Sequence, residues 1–480
     1  MRLIPTVSLG LLICFCVAQV GCSGVRSADI ADPFGVMVRR PGGRLPAYRV
    51  RRDMVPSVRS DEVPDRELSL ADCVDIAMRN SPRSRIPLQS VRAQQAILGQ
   101  TRGVYWPQLT VGTGWARQKE QLLTTSPRQE NTDTEYNYTL SMSWTLADFG
   151  VRRAAVAGAE AAWRSAVGQL KSNLLDIGLA AENAYYRLVE AETLQGVAEQ
   201  TVEQRALHLE LARRRQRAGM GRASEVKQSE AELHEAEAAL VDARAQVRDA
   251  RGLLASVMGF EPSVPIRIQP LPENVRMVRP ETVDQLLDRA ERNRPILAAQ
   301  AAQIAQRRED LALQRAARLP QLDAGMSWGL VDKHWLLPDG SNDEWAASLS
   351  LSMELFTGFQ RTYRIRQLTE EVKAAELAYA ALLHDVELEV WQSYSELIRV
   401  QEAIKAVEKF VESAQESLTE TRREYEQGRV GIVDLIDVEQ RYTQSLFAQV
   451  RTKLAFYLAV ARLERSMGHG LERVPNELRE

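Results

Sequence analysis

The sequence predicts a mainly α protein with a small β part, organised as long antiparallel helical hairpins. The leading observation is a stretch free of Pro and Gly from Arg361 to Gln427, in which apolar residues step by threes and fours. Its seam runs through Ile365, Leu368, Val372, Ala375, Tyr379, Leu382, Val386, Val390, Tyr394, Leu397, Ile404, Val407, Val411, Ala414 and Leu418. Near-heptad spacing marks a helix with one continuous packing face. At about 1.5 Å per residue this helix extends roughly 100 Å, more than a compact domain can hold. The other two observations are an internal duplication and four segments with strand-like alternation.

The duplication is read from landmarks at constant spacing. The short helical pattern from Leu70 to Asn80-Ser81-Pro82 recurs from Val283 to Asn293-Arg294-Pro295, and Pro107-Gln108-Leu109 recurs as Pro320-Gln321-Leu322. A shorter loop in the second copy then places Leu146 against Leu355, Arg152 against Arg361 and Gly219 against Gly428. The first half therefore holds its own rod, from Val151 to about Ala218, and internal repeats at this scale mean one structural plan used twice. The expected organisation is a leader over 1–22, an extended arm over 23–66, a first repeat over 67–260, a connector over 261–282, a second repeat over 283–467 and a tail over 468–480. Pro and Gly punctuation in the arm, and five prolines from Pro262 to Pro280 around the connector, set these limits.

Each repeat opens with a pair of strand candidates. Tyr136, Tyr138, Leu140, Met142, Trp144 and Leu146 alternate with Asn137, Thr139, Ser141, Ser143 and Thr145. Trp345, Ala347, Leu349, Leu351, Met353 and Leu355 alternate with a set that is mostly Ser and contains one charge, Glu354. The partner segments, about 108–118 and 321–331, alternate through Leu109, Val111, Thr113 and Trp115, and through Leu322, Ala324, Met326 and Trp328. About ten alternating residues is the span of a tilted transmembrane strand, although a soluble antiparallel sheet with one wet face alternates in the same way. Four strands cannot close a barrel, so closure needs further copies of the chain. The joining segments 119–134 and 332–343 are polar and turn-rich and are expected as loops.

The beginning of the chain favours the membrane reading. Arg2, an apolar run from Leu9 to Val20 and Gly21-Cys22-Ser23-Gly24 form a secretory signal pattern. Gly21-Cys22 resembles a bacterial lipoprotein box, with Gln19 where leucine is usual; the resemblance implies lipidation at Cys22 and, with Ser23 following, sorting to the outer membrane. Cys14 and Cys16 leave with the leader, so Cys73 is left as a packed thiol on an apolar helix face. No later apolar run approaches the roughly 20 residues of a spanning helix, so strands must make any crossing.

At the end of the second rod the chain reads Tyr425-Glu426-Gln427-Gly428-Arg429-Val430-Gly431-Ile432-Val433-Asp434-Leu435-Ile436-Asp437. The glycines allow the backbone to reverse, and Asp434 and Asp437, three apart, share one face of the returning helix. Copies meeting at this tip would bring these carboxylates into a ring.

Taken together, these residues resemble the TolC-like outer-membrane efflux proteins over about 67–467. The resemblance rests on the duplicated half, the Asn-Ser/Arg-Pro helix ends, the Pro-Gln-Leu strand openings, and the passages Leu146-Ala147-Asp148-Phe149-Gly150-Val151-Arg152 and Leu355-Phe356-Thr357-Gly358-Phe359-Gln360-Arg361 into the rods. It implies a homotrimer whose four strands per chain form a 12-stranded transmembrane β-barrel in the outer-membrane lipid, above a trimeric α-barrel crossing the periplasm. The implied partners are a periplasmic adaptor (membrane fusion) protein and an inner-membrane pump of RND, ABC or MFS type, in efflux or type I secretion. By the same resemblance Asp434 and Asp437 line the periplasmic aperture, and Tyr425 and Glu225 take part in its closed state. Gly219, Met220, Gly221, Gly428, Arg429 and Val430 match the tips that engage the adaptor. Val430 replaces an arginine of the family's lock, leaving Arg429 or Arg222 to serve.

Other function classes find little support. A net charge of −3 with charges of both signs gives no nucleic-acid footprint. The five histidines lie on separate segments without ligand spacing, and no phosphate loop or nucleophile motif is present, so no enzyme, cofactor or metal is expected. The alternative is a periplasmic coiled-coil adaptor or scaffold without a pore.

Overall fold

The computed structural model describes residues 66–122, 129–219, 221–270, 282–333, 341–427 and 429–469. The leader with Cys22, the arm up to residue 65, most of the connector and the end of the tail lie outside the described residues. In chain order the first repeat is α1 (Leu70–Asn80), α2 (Pro82–Gly103), β1 (Gln108–Leu122), β2 (Gln129–Ala147), α3 (Val151–Arg217) and α4 (Ala223–Val257). The second is α5 (Val283–Asn293), α6 (Pro295–Ala316), β3 (Gln321–Lys333), β4 (Ser341–Ser352), α7 (Gln360–Glu426) and α8 (Ile432–Ser466).

Local chemistry accounts for the element ends. Ser69 caps α1: its Oγ accepts from the Asp72 N–H at 3.2 Å, and the Asp72 carboxylate accepts from the Ser69 N–H at 3.0 Å. Pro82 and Pro295 then open α2 and α6 at the first helical turn, where a missing N–H costs nothing. The rods α3 and α7 are 67 residues each. Along α7, Leu368, Val386, Val390, Leu397, Ile404 and Ala414 of the expected seam are buried. The return helices α4 and α8 end in left-handed glycines, Gly259 (φ 86°) and Gly468 (φ 78°). A Cβ at Gly259 would sit 2.9 Å from the Asn80 carbonyl oxygen, and one at Gly468 2.7 Å from that of Asn293. Each return helix thus closes on the short helix that opens its own repeat.

Two buried clusters form a belt part-way along the rods. One joins Cys73, Val74 and Met78 of α1 with Leu174, Ala181, Tyr185 and Leu188 of α3, Leu254 of α4 and Ile266 of the connector. Leu68 and Ile268 bridge across its edge, and the Tyr185 hydroxyl donates to the Gln269 carbonyl at 2.6 Å. The other cluster repeats this with Leu286, Ala290, Leu297, Val386, Val390, Leu397, Phe456 and Leu463. Burial pushes the Cys73 thiol up to about 12, with the Asp72 charge adding to it, and burial likewise raises Tyr185 to about 12.

The strands form one antiparallel sheet in the order β1-β2-β3-β4, with β2 and β3 joining the two repeats. They run further than the alternation alone suggested. β1 reaches Leu122 and β2 starts at Gln129, so most of 119–134 is strand; residues 123–128 and 334–340 are outside the described residues. β4 ends at Ser352, leaving Met353, Glu354 and Leu355 in the passage to α7. Glu354 is therefore not a charge on the strand's polar face; it pairs with Arg361.

Candidate functional site

The sheet carries two different surfaces. Its register places Leu109 opposite Met142, Met142 opposite Met326 and Met326 opposite Ala347, so the apolar sets of all four strands share one face. Leu109, Val111, Trp115, Tyr136, Leu140, Trp144, Trp328, Trp345 and Leu349 are exposed there. From Tyr136 to Trp144 the strand covers roughly 27 Å at about 3.4 Å per residue, close to the apolar band of an outer-membrane barrel, about 25 Å tall. Among the described residues no helix is long and apolar enough to cross a membrane.

The opposite face is small and polar: Gln108, Thr110 and Gly112 stand across from Ser143, Ser141 and Thr139, and these across from Gly325, Ser327 and Gly329. Near its rod end stands a charge that sequence reasoning missed. Asp323 accepts from the Thr145 hydroxyl at 2.7 Å and from the Gln321 amide at 3.0 Å. Arg152 secures the adjoining corner by donating to Asp148 (2.9 Å), to the Thr145 carbonyl (2.7 Å) and to the Leu146 carbonyl (3.1 Å), and it lies 4.8 Å over the Tyr105 ring.

At the far end of the rods are two tips. In the first, Gly219 is left-handed (φ 77°), and Glu225 lies in the first turn of α4. A Cβ on Gly221 would come within 3.1–3.2 Å of the Arg215–Gln216 backbone, so the reversal is close. In the second, the Arg429 N–H donates to the Glu424 carbonyl at 2.9 Å, and Gly431 precedes α8. Met220 and Gly428 lie outside the described residues.

Asp434 and Asp437 are both exposed on α8, while Ile432, Leu435 and Ile436 are buried on its other side. Asp434 also caps the helix, accepting from the Gly431 N–H at 3.0 Å. Asp437 pairs with Arg441 at 3.0 Å on the open surface. The structure brings Tyr425 to Arg215, whose guanidinium lies 5.3 Å over the ring; among the described residues no hydrogen bond joins Tyr425 to Glu225. Arg222 and Arg429 form no ion pair within the chain among the described residues.

A second feature near the tip was also missed. Glu439 of α8 is only 3% exposed and meets Arg205 Nη1 at 3.2 Å, His208 Nε2 at 3.3 Å and Arg422 Nη2 at 3.6 Å. Its signal was present in the sequence: Glu439 continues the seam of Ile432, Leu435 and Ile436, and Arg205 falls between Ala198 and Ala212 at heptad spacing. Charges on a packing seam need partners. Among the described residues no group of His, Cys, Asp and Glu is placed to hold a metal ion.

Comparison with known proteins identifies the family. The family described as "Outer membrane efflux protein" matches residues 75–260 and 286–469, one match for each repeat. Protein CyaE of Bordetella pertussis is 27% identical over 412 residues, covering 83% of this chain and 85% of that protein. Among solved structures, the outer-membrane channel OprN shares the fold with a TM-score of 0.74 at 20% identity, over 84% of this chain and 90% of that one. VceC of Vibrio cholerae does so with 0.72 at 20% identity, over 84% and 96%. The pore-less scaffold gives way to a channel, in a family of channel proteins rather than of enzymes that works with periplasmic adaptors and inner-membrane pumps. The chain belongs to the outer membrane efflux protein family and is an outer-membrane channel of the kind used in tripartite efflux or secretion.

Proposed function

We propose that three copies of the chain assemble, with β1 of one copy pairing with β4 of the next to close a 12-stranded barrel whose small polar face lines the lumen. The carrying observation is a sheet with one apolar and one polar face and both edge strands, β1 and β4, unpaired within the chain. In hydrocarbon an open edge leaves backbone groups without partners, and a closed barrel removes the edge.

At the other end the exposed faces of α8 converge, so that Asp434 and Asp437 of three copies form an acidic aperture that favours cations. The tips, with Gly219, Met220, Gly221, Gly428, Arg429 and Val430, engage a periplasmic adaptor that links the duct to an inner-membrane pump of RND, ABC or MFS type. Cys22 carries lipid that tethers the arm to the outer membrane, readable as an acyl mass shift lost in Cys22→Ser. Native mass spectrometry of the detergent-extracted protein tests assembly: a trimer is expected, and a monomer that stays soluble without detergent would overturn the reading.

A further inference from the structure

We propose that the open side of α7 seats α2 and α4 of the next copy, keyed by Leu377 against that copy's Ile86 and by Arg399 against its Asp242. This deepens the three-copy reading above and rests on it. The helices of the two repeats match one for one in length, so each position in one repeat has a counterpart in the other. Within the chain α3 packs on α1, α2 and α4 of its own repeat, and also on α6 and α8 of the second. Its counterpart α7 packs on α5, α6 and α8, the equivalents of the first set. The equivalents of the second set are α2 and α4, and among the described residues neither makes such a joint with α7. A repeated unit joined to its neighbour on one side only presents its other side to a further copy, and head-to-tail contacts of this kind close into rings.

The open side carries the residues that such a joint needs. The helix α3 meets α6 at Gly168, where an added Cβ would come within 2.8 Å of the Ala299 Cβ. The counterparts are Leu377 on α7 and Ile86 on α2, and they are 72% and 70% exposed. Toward α8, Leu179 and Glu182 of α3 line a small cavity with Ala461 and Glu464; their counterparts on α7, Leu388 and Trp391, are exposed. Val450 of α8 packs against the first belt, whereas its counterpart on α4, Val241, is exposed. Large apolar side chains left open to water on faces that are covered in the other repeat mark an interface.

The charges are inverted between the two joints. Within the chain Glu190 of α3 pairs with Arg451 of α8 at 3.3 Å. The counterparts are Arg399 on α7 and Asp242 on α4, so the signs have changed places and remain complementary. Both are exposed; Arg399 is steadied on its own helix by Glu396 at 2.6 Å, and Asp242 has no ion pair within the chain among the described residues. The inversion makes the joints exclusive. If a neighbouring copy offered α8 to α7 in place of α4, Arg451 would face Arg399, and like charges so placed reject the wrong partner. A leucine in place of Gly168 would likewise find no room over Ala299. Each face therefore accepts one neighbour, and the ring closes in one order.

The test is cross-linking of the full-length, detergent-extracted protein carrying Ile86→Cys with Leu377→Cys, using a short bis-maleimide, with assembly followed by native mass spectrometry. Covalent dimers and trimers on denaturing gels are expected from the double variant and from neither single variant. A trimer by mass that yields no bands linking separate chains, or only a link within one chain, overturns the docking face and leaves the three-copy reading standing. If the double variant does not assemble, the charge pair decides. Asp242→Arg should raise the dissociation of the trimer by roughly fivefold per joint, and adding Arg399→Asp should restore it; failure of the exchange to restore the trimer overturns the key. A wild-type protein that is monomeric in detergent overturns the three-copy reading and the docking face with it.

Discussion

The strand-to-helix corners of the two repeats share a backbone and differ in what holds it. In the first, Phe149 (φ 49°) and Gly150 (φ 116°) are both left-handed; in the second, Gly358 (φ 58°) and Phe359 (φ 65°) adopt the same pair of conformations with the residue types exchanged. Yet Arg152 is fixed by Asp148, two carbonyls and the Tyr105 ring, whereas Arg361 pairs with Glu354. Duplication has kept what the chain path demands and let the side-chain ties diverge. The tips show the same division: Asp434 and Glu225 are repeat counterparts, but Asp437 has Gln228 opposite it, so the paired carboxylates belong to the second tip alone.

Substitutions can break this comparison at several depths. Val390→Pro in α7 should be the most severe, since it removes a backbone bond and clashes in the middle of the second belt, costing about 3 kcal/mol or more; loss of the heat-resistant assembly on gels is the readout. Gly259→Val and Gly468→Val should hurt alike, by roughly 2–5 kcal/mol from left-handed strain plus overpacking against Asn80 and Asn293. A large difference between these two in thermal unfolding would deny that the belts are equivalent.

The corners should respond unequally. Arg152→Ala should cost about 1.5–3 kcal/mol through several charge-assisted bonds, while Arg361→Ala, losing an exposed partner, should cost about 1 kcal/mol or less. Equal losses in melting temperature would erase the contrast between them.

pH separates the belts as well. Cys73 and Tyr185, both raised to about 12, stay protonated in the fold after the unfolded chain begins to ionise, so their contribution is complete below pH 9.0 and is lost as pH rises toward 12. The second belt has Leu286 in place of Cys73, so Cys73→Leu should flatten the fall in stability between pH 9.0 and 11, measured by thermal unfolding. The smallest effects should come from Phe149→Gly and Phe359→Gly, which relieve left-handed strain and stabilise by up to about 1 kcal/mol.

How much of this could be read in the sequence depended on how local its cause was. The rods were legible because the seam from Leu368 to Ala414 repeats over many turns, and the aspartates because they flank a glycine turn. The helix α2 escaped notice because Pro82 and Pro87 interrupt its start and it buries little beyond Ser84 and Leu98. The strand extensions past Gln118 and before Tyr136 are almost wholly polar in sequence, so no alternation marks them, and the backbone register alone shows them as strand. The Glu439 cluster was hidden for a third reason: Arg205 lies 234 residues away in the chain, so each charge looked like one more solvated residue until the fold set them together.

The central claim is a membrane duct narrowed by an acidic tip, and one recording tests it most directly. Ion selectivity of single channels formed by the purified protein should be compared with that of the Asp434→Asn, Asp437→Asn double variant, across a salt gradient. The account predicts a small conductance that prefers cations in the wild type and loses that preference in the variant with assembly intact. A wild-type channel whose selectivity is unchanged by the double substitution would contradict it.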